Sequence, residues 1–165
     1  METKKTLIIC QSIHHGNTTK IAGVIADVLE AKVKKPFEVS IEELANYDLI
    51  GFGSGIYDDM HHTSLLELVD KLPNGAGKKT FIFSTSGVPV SVFGDKFLQN
   101  YLTKAHSKLR NKLEAKHYEI LGDFICPGFN TNVFLKYFGG INKSRPNQKD
   151  FENAKEFALK MKNGL

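Results

Sequence analysis

The sequence predicts an α/β protein whose parallel sheet is covered by helices on both faces. Two observations carry that prediction. Short apolar, β-branched runs without polar alternation read as strands buried on both sides. They alternate with segments whose apolar residues recur at helical spacing, which supplies the crossovers that parallel strands need. The 165 residues contain no internal repeat, low-complexity tract or linker, so one domain spanning residues 1–165 is expected.

In chain order, TLIIC (residues 6–10) reads as the first strand. From Asn17 the period becomes helical through Ile21, Val24, Ile25, Val28 and Leu29, with Asn17 or Thr18 as N-cap and Pro36 closing the unit. FEVS (residues 37–40) reads as the second strand, IEELANYD as a helical turn, and LIGFG (residues 49–53) as the third strand. The stretch SGIYDDMHH reads as a loop. A second helix follows, with Leu65, Leu68, Val69 and Leu72 on one face and Pro73-Asn74-Gly75 as its stop. TFIFS (residues 80–84) is the fourth strand, running into the loop TSGVPVSVFGD. A long helix aligns Leu98, Tyr101, Leu102, Ala105, Leu109 and Leu113, and YEILGDFIC holds the fifth strand. Residues 127–146 read as irregular. The last helix starts near Asn147, where Asp150 suggests a capping box, and buries Phe151, Ala154, Phe157, Ala158 and Met161.

Charge narrows the partners. Lys+Arg total 22 against 18 Asp+Glu, and this net +4 is spread along the chain, which fits a solvated surface rather than a nucleic-acid footprint. Residues 104–116 place their cations on one exposed helix. Cys10 and Cys126 end strand-like runs and share no metal-like spacing, so they read as reduced, buried thiols. The charged opening, residues 1–5, precedes an apolar run of only strand length, and no run approaches a membrane span. A cytoplasmic protein with neither membrane nor nucleic-acid partners is expected.

Open parallel sheets bind ligands outside the carboxyl ends of their strands, so the loops after the first, third and fourth strands are the candidates. The first, SIHHGNTTKIA, is built for an anion. A helix start presents unpaired N–H groups and a partial positive charge. Gly16 lets backbone approach closely, while Ser12, Asn17, Thr18 and Thr19 add donors without negative charge, and His14 and His15 add ring N–H groups. It is neither a Walker loop nor a dinucleotide fingerprint, because the required glycine spacings are absent. The His14-His15 and His61-His62 pairs raise a metal site, but no carboxylate or cysteine completes a ligand set, and no metal is expected. The aspartates of a receiver domain are missing where Gly53-Ser54 and Gln11-Ser12 stand, and Ser86-Gly87 lies in no nucleophile elbow.

The order GNT (Gly16-Asn17-Thr18), then YDLIGFGSGIY, then FIFSTSG, then the tail DFICPGFNT…GGINKSRPNQKDFENAKEFA resembles the flavodoxin family over essentially the whole chain. That resemblance implies a flavodoxin-like three-layer fold, with a five-stranded parallel sheet in the order 2-1-3-4-5. It also implies FMN as cofactor. Ser12, His14, His15, Gly16, Asn17 and Thr18 would surround the phosphate. Gly55, Ile56 and Tyr57 would lie against the ring, and Ser84, Thr85, Ser86 and Gly87 along its pyrimidine or ribityl side, with Phe93 and Gly94 as further candidates. The implied function is electron transfer between redox partners, or alternatively an FMN-dependent NAD(P)H:quinone-type oxidoreductase acting on a small quinone-like acceptor. The sequence departs from the family in its two loop histidines and in having no tryptophan. Its pI near 9.0 contrasts with the acidic carriers of the family and implies a less negative reduction potential, since positive surroundings favour an anionic reduced flavin.

Overall fold

Five parallel strands form the sheet: β1 (Thr6–Gln11), β2 (Lys32–Lys34), β3 (Leu49–Tyr57), β5 (Lys79–Ser86) and β6 (Glu119–Pro127). Their order is β2-β1-β3-β5-β6, and the two-residue β4 (Met60–His61) pairs antiparallel with β3 as a hairpin. Without that hairpin strand, the order is the expected 2-1-3-4-5. The computed structural model describes residues 4–165; residues 1–3, part of the charged opening read above, lie outside the described residues.

Alternation along each strand sends neighbouring side chains to opposite faces. Ile8, Cys10, Phe81 and Phe83 pack with helices α1 (Asn17–Leu29) and α4 (Gln148–Asn163). Leu7, Ile9, Ile50, Phe52 and Ile82 pack with α2 (Thr63–Lys71) and α3 (Val90–Ala115). Each face thus has its own apolar layer, which is why the strands read as unbroken apolar runs. The capping box at Asn147 forms as read: its side chain accepts from the Asp150 N–H, and the Asp150 carboxylate accepts from the Asn147 N–H.

Four readings are corrected. The second strand is Lys32–Lys34, not residues 37–40; Phe37 sits in a 3-10 turn (Pro36–Glu38) and is 78% exposed. An edge strand needs ladder bonds more than two apolar faces, and KVK obtains them from β1. Pro36, lacking an N–H, does not extend that ladder. The stretch read as the loop SGIYDDMHH is strand, turn and strand, because Asp58 and Asp59 both take positive φ (49° and 61°) and close a tight hairpin. The cap of α1 is Gly16 at φ 64°, with no side-chain cap bond, so Asn17 and Thr18 are free for other contacts. The long helix begins at Val90 and is broken by Gly94 at φ 77° and ψ 164°.

Gly53 is required by packing rather than by its dihedrals. A Cβ there would stand 2.2 Å from the Phe83 ring tip, and Phe83 is fully buried with no room to retreat. Gly53→Ala is expected to destabilise the fold by about 1–3 kcal/mol, the range for overpacking a close-packed interior. Urea denaturation would show this as a lower midpoint at an unchanged slope; an unchanged midpoint would mean that the layer yields more readily than its burial implies. Among the described residues, no helix is long and apolar enough to cross a membrane.

Candidate functional site

The carboxyl ends of β1, β3, β5 and β6 surround a narrow cleft of about 50 Å³ at the N-terminus of α1. Four segments at the strand ends contribute to it. From the first come Ser12, His14, Asn17 and Thr18; from the second, Gly55, Ile56 and Tyr57; from the third, Thr85, Ser86 and Gly87. The fourth, after β6, brings Gly128, Phe129, Asn130 and Asn132. A larger groove of about 410 Å³ runs along the edge of β6 between α3 and α4, but its central guanidinium, Arg145, is already held by two 2.6 Å bonds to Asp150.

The cleft is chemically suited to an anion. No Asp or Glu is among its lining residues. Gly16 turns the chain into α1 with φ 64°, so the first-turn N–H groups face the cleft; Asn17 N–H has a long 3.5 Å contact with the His14 carbonyl. The Thr18 and Thr85 hydroxyls meet at 2.8 Å, tying the first loop to the third. Asn17 donates from Nδ2 to the Phe129 carbonyl at 2.8 Å, while its Oδ1 is buried without a partner. As an acceptor, that oxygen asks for a donor such as a ligand hydroxyl, so the anion is left to the backbone N–H groups and hydroxyls of the cleft. Tyr57 folds back so that its hydroxyl lies beside Gly55, and burial pushes its phenol above the ordinary value. Its ring stands between His14 (6.0 Å between centroids) and His62 (5.6 Å, edge-on).

Of the residues assigned to the phosphate, the ring and the pyrimidine or ribityl side, three do not line the cleft. Gly16 acts through backbone conformation alone. His15 turns away to stack on Phe129 at 4.4 Å and to bond Thr131 Oγ1 at 2.7 Å. Ser84 points into the core, where its hydroxyl meets His106 Nε2 at 2.6 Å; this is a correction, and its cause is strand alternation, which turns Thr85 toward α1 and Ser84 away. Phe93 stacks on Phe97 (4.9 Å) outside the cleft, and Gly94 forms the helix break.

The four loop histidines do not converge. His62 caps α2, its Nδ1 accepting from the Ser64 N–H at 3.2 Å. His61 is buried, bonding the Phe83 carbonyl through Nε2 at 3.3 Å and packing 4.9 Å from His106. Ser84 bonds His106, whose Nδ1 lies 3.4 Å from Asp123 Oδ2 without a hydrogen bond to it; Ser84 and His106 are wholly buried and Asp123 is ion-paired to Arg110. No substrate reaches such a hydroxyl. Both cysteines are buried free thiols, and burial pushes Cys10 up to about 12 and Cys126 well above its ordinary value, so neither is a nucleophile at neutral pH.

The sequence matches the family described as "Flavodoxin domain" over residues 7–122. The chain belongs to the flavodoxin family. It is 49% identical over 154 residues to an uncharacterised protein of Methanocaldococcus jannaschii, covering 93% of this chain and 95% of that one. Among solved structures, flavodoxin 2 of Bacillus cereus superposes with a TM-score of 0.66 at 19% identity, covering 98% of this chain and 99% of that chain. A Fusobacterium nucleatum flavodoxin bound to flavin mononucleotide gives 0.65 at 14% identity, with the same coverage. At such identities the likeness to the two structures is one of fold. Sequence reasoning missed the fourth loop, PGFNTN, although its glycine and asparagines after a strand end repeat the composition of the first.

Proposed function

We propose that this flavodoxin-family chain binds FMN at the α1 cleft and carries electrons between redox partners. The observation that carries the reading is the carboxylate-free cradle at the start of α1, flanked by the β3 and β5 loops at the point where the strand order reverses. FMN, when bound, supplies one- and two-electron redox chemistry. The chain supplies binding and environment. First-turn N–H groups, Ser12, His14, Asn17 and Thr18 would hold the phosphate. The cleft is narrow, so the ring would lie outward, covered by Ile56 and Tyr57 and bordered by Thr85, Ser86 and Gly87.

Purified protein mixed with FMN and passed through gel filtration should carry the flavin bands with it. NADPH added to that complex should leave the flavin oxidised until a partner reductase is supplied. Flavin remaining wholly in the small-molecule fraction would defeat the binding site, and rapid reduction by NADPH alone would replace the carrier by the oxidoreductase.

A further inference from the structure

The segment between β6 and α4 carries exposed aromatic rings that neither the core nor the cleft uses. Its base is tied down. Asn130 and Ile141 exchange backbone bonds of 3.0 and 2.9 Å, Phe129 N–H donates to the Arg145 carbonyl (3.0 Å), and Thr131 bonds His15 (2.7 Å). Its tip is a 3-10 turn, Val133–Phe138, on which Phe134, Tyr137 and Phe138 are 62%, 78% and 79% exposed. Phe134 and Phe138 meet edge to face at 6.5 Å, so these rings form a patch. An apolar patch left in water and rimmed by charge marks an interaction surface. The charge here has one sign. From Pro127 to Lys149 the sequence holds Lys136, Lys143, Arg145 and Lys149 and no Asp or Glu. Arg145 and Lys149 are engaged by Asp150 and Asp95. Lys136 and Lys143 have no ion pair among the described residues. The Lys136 ammonium stands 5.1 Å from the Tyr137 ring centre, and that of Lys143 lies where a Cβ on Gly139 would be 2.6 Å from it. The two free cations thus flank the rings.

We infer that the Phe134–Tyr137–Phe138 patch docks an acidic electron-transfer protein, whose carboxylates meet Lys136 and Lys143 around the aromatic contact. The redox character of that partner rests on the FMN reading above; its acidity rests on the charge of the patch. Phe129, Asn130 and Asn132 line the cleft, and the aromatic turn begins at the next residue. A partner seated on the turn is therefore held beside the cleft. A second copy of the chain fits poorly, because a two-fold contact through this patch sets one acid-free cationic segment against another. A bilayer fits less well than a protein, because a six-residue turn is far shorter than the amphipathic helices that lie in a membrane surface. Aromatic rings within a charged rim are instead the usual anchors of a small protein–protein contact.

Calorimetry of the purified chain against an acidic two-iron ferredoxin, without added flavin, reads the docking alone. Micromolar binding is expected at about 20 mM salt, at least about fivefold weaker at about 200 mM because the charge pairs are screened. The triple variant Phe134→Ser, Tyr137→Ser, Phe138→Ser and the charge reversal Lys136→Glu, Lys143→Glu should each weaken it at least about tenfold. Their melting temperatures should not change, because these side chains are exposed. Basic cytochrome c should not bind. No heat with ferredoxin, equal binding of cytochrome c, or an unchanged ferredoxin affinity in either folded variant overturns the inference. Sedimentation with phosphatidylglycerol vesicles that is lost in the triple variant, while ferredoxin binding is kept, gives the patch to a lipid surface and overturns it too. The same proteins, mixed with FMN and passed through gel filtration, separate the two readings. Flavin lost with ferredoxin binding kept defeats the cofactor and leaves the acidic partner standing; flavin kept with no ferredoxin binding defeats the docking surface alone.

Discussion

Ser12→Asp is expected to weaken FMN binding about 100-fold, equivalent to about 2.7 kcal/mol. Ser12 ends the run from β1 into the cleft and enters no hydrogen bond on which the fold depends among the described residues. A carboxylate there would face a phosphate dianion across about 4–5 Å, and at an effective dielectric of about 20 the bare repulsion is several kcal/mol. Partial exposure of the site and screening by salt reduce that to the stated figure. Ser12→Ala removes one hydroxyl donor and should cost less than tenfold. Flavin fluorescence titration of the three proteins separates the cases. Equal losses for Asp and Ala would place the phosphate elsewhere, whereas the fold, with an acidic group added near a helix N-terminus, should keep its melting temperature.

Acid should destabilise the protein well above the range where carboxylates titrate. His61 is fully buried, and desolvation, reinforced by the neighbouring His106, pushes its pKa from 6.5 to about 3. His106 is lowered too, first by burial, with the Asp123 carboxylate opposing and Arg110 assisting. Both groups bind protons more readily in the unfolded chain, so their contribution is present above pH 6.5 and is lost as pH falls below it. For His61 alone that amounts to about 2–3 kcal/mol between pH 6.5 and 4.5. The lowered carboxylates of Glu43 and Asp59, paired with Lys34 and Lys104, act below their ordinary values of 4.5 and 3.8 and leave this window to the histidines. Denaturant-derived stabilities from pH 7.5 to 4.5 should therefore fall steeply, and His61→Phe, which cannot charge, should flatten the fall even if it is less stable at pH 7.5. A wild-type profile level down to pH 5 would mean that the imidazoles are charged in the native core.

The residues at the cleft show how far the sequence reaches. The loop His14–Thr18 was legible because an apolar run, a glycine, a set of short polar residues and an amphipathic period follow one another locally, and that order alone builds an anion-ready helix start. The same local logic placed Gly55–Tyr57 and Thr85–Gly87 at strand ends. It failed where partners come from far along the chain. His15 and Thr131 are 116 residues apart, and Asn17 and Phe129 are 112 apart, so nothing near residue 15 tells that its ring packs on Phe129 and Thr131 rather than lining the cleft. Ser84 and His106 met for the same reason.

What the amino-acid sequence determined by itself is the alternation of strands and helices, the doubly covered parallel sheet and the anion cradle, because periodicity, capping and glycine placement act over a few residues. What only the tertiary structure decided is the edge strand Lys32–Lys34, the hairpin that buries His61, and the fourth loop that lines the cleft. Each of these depends on which backbone groups and side chains meet when the sheet closes, and such meetings carry no local signature in the chain.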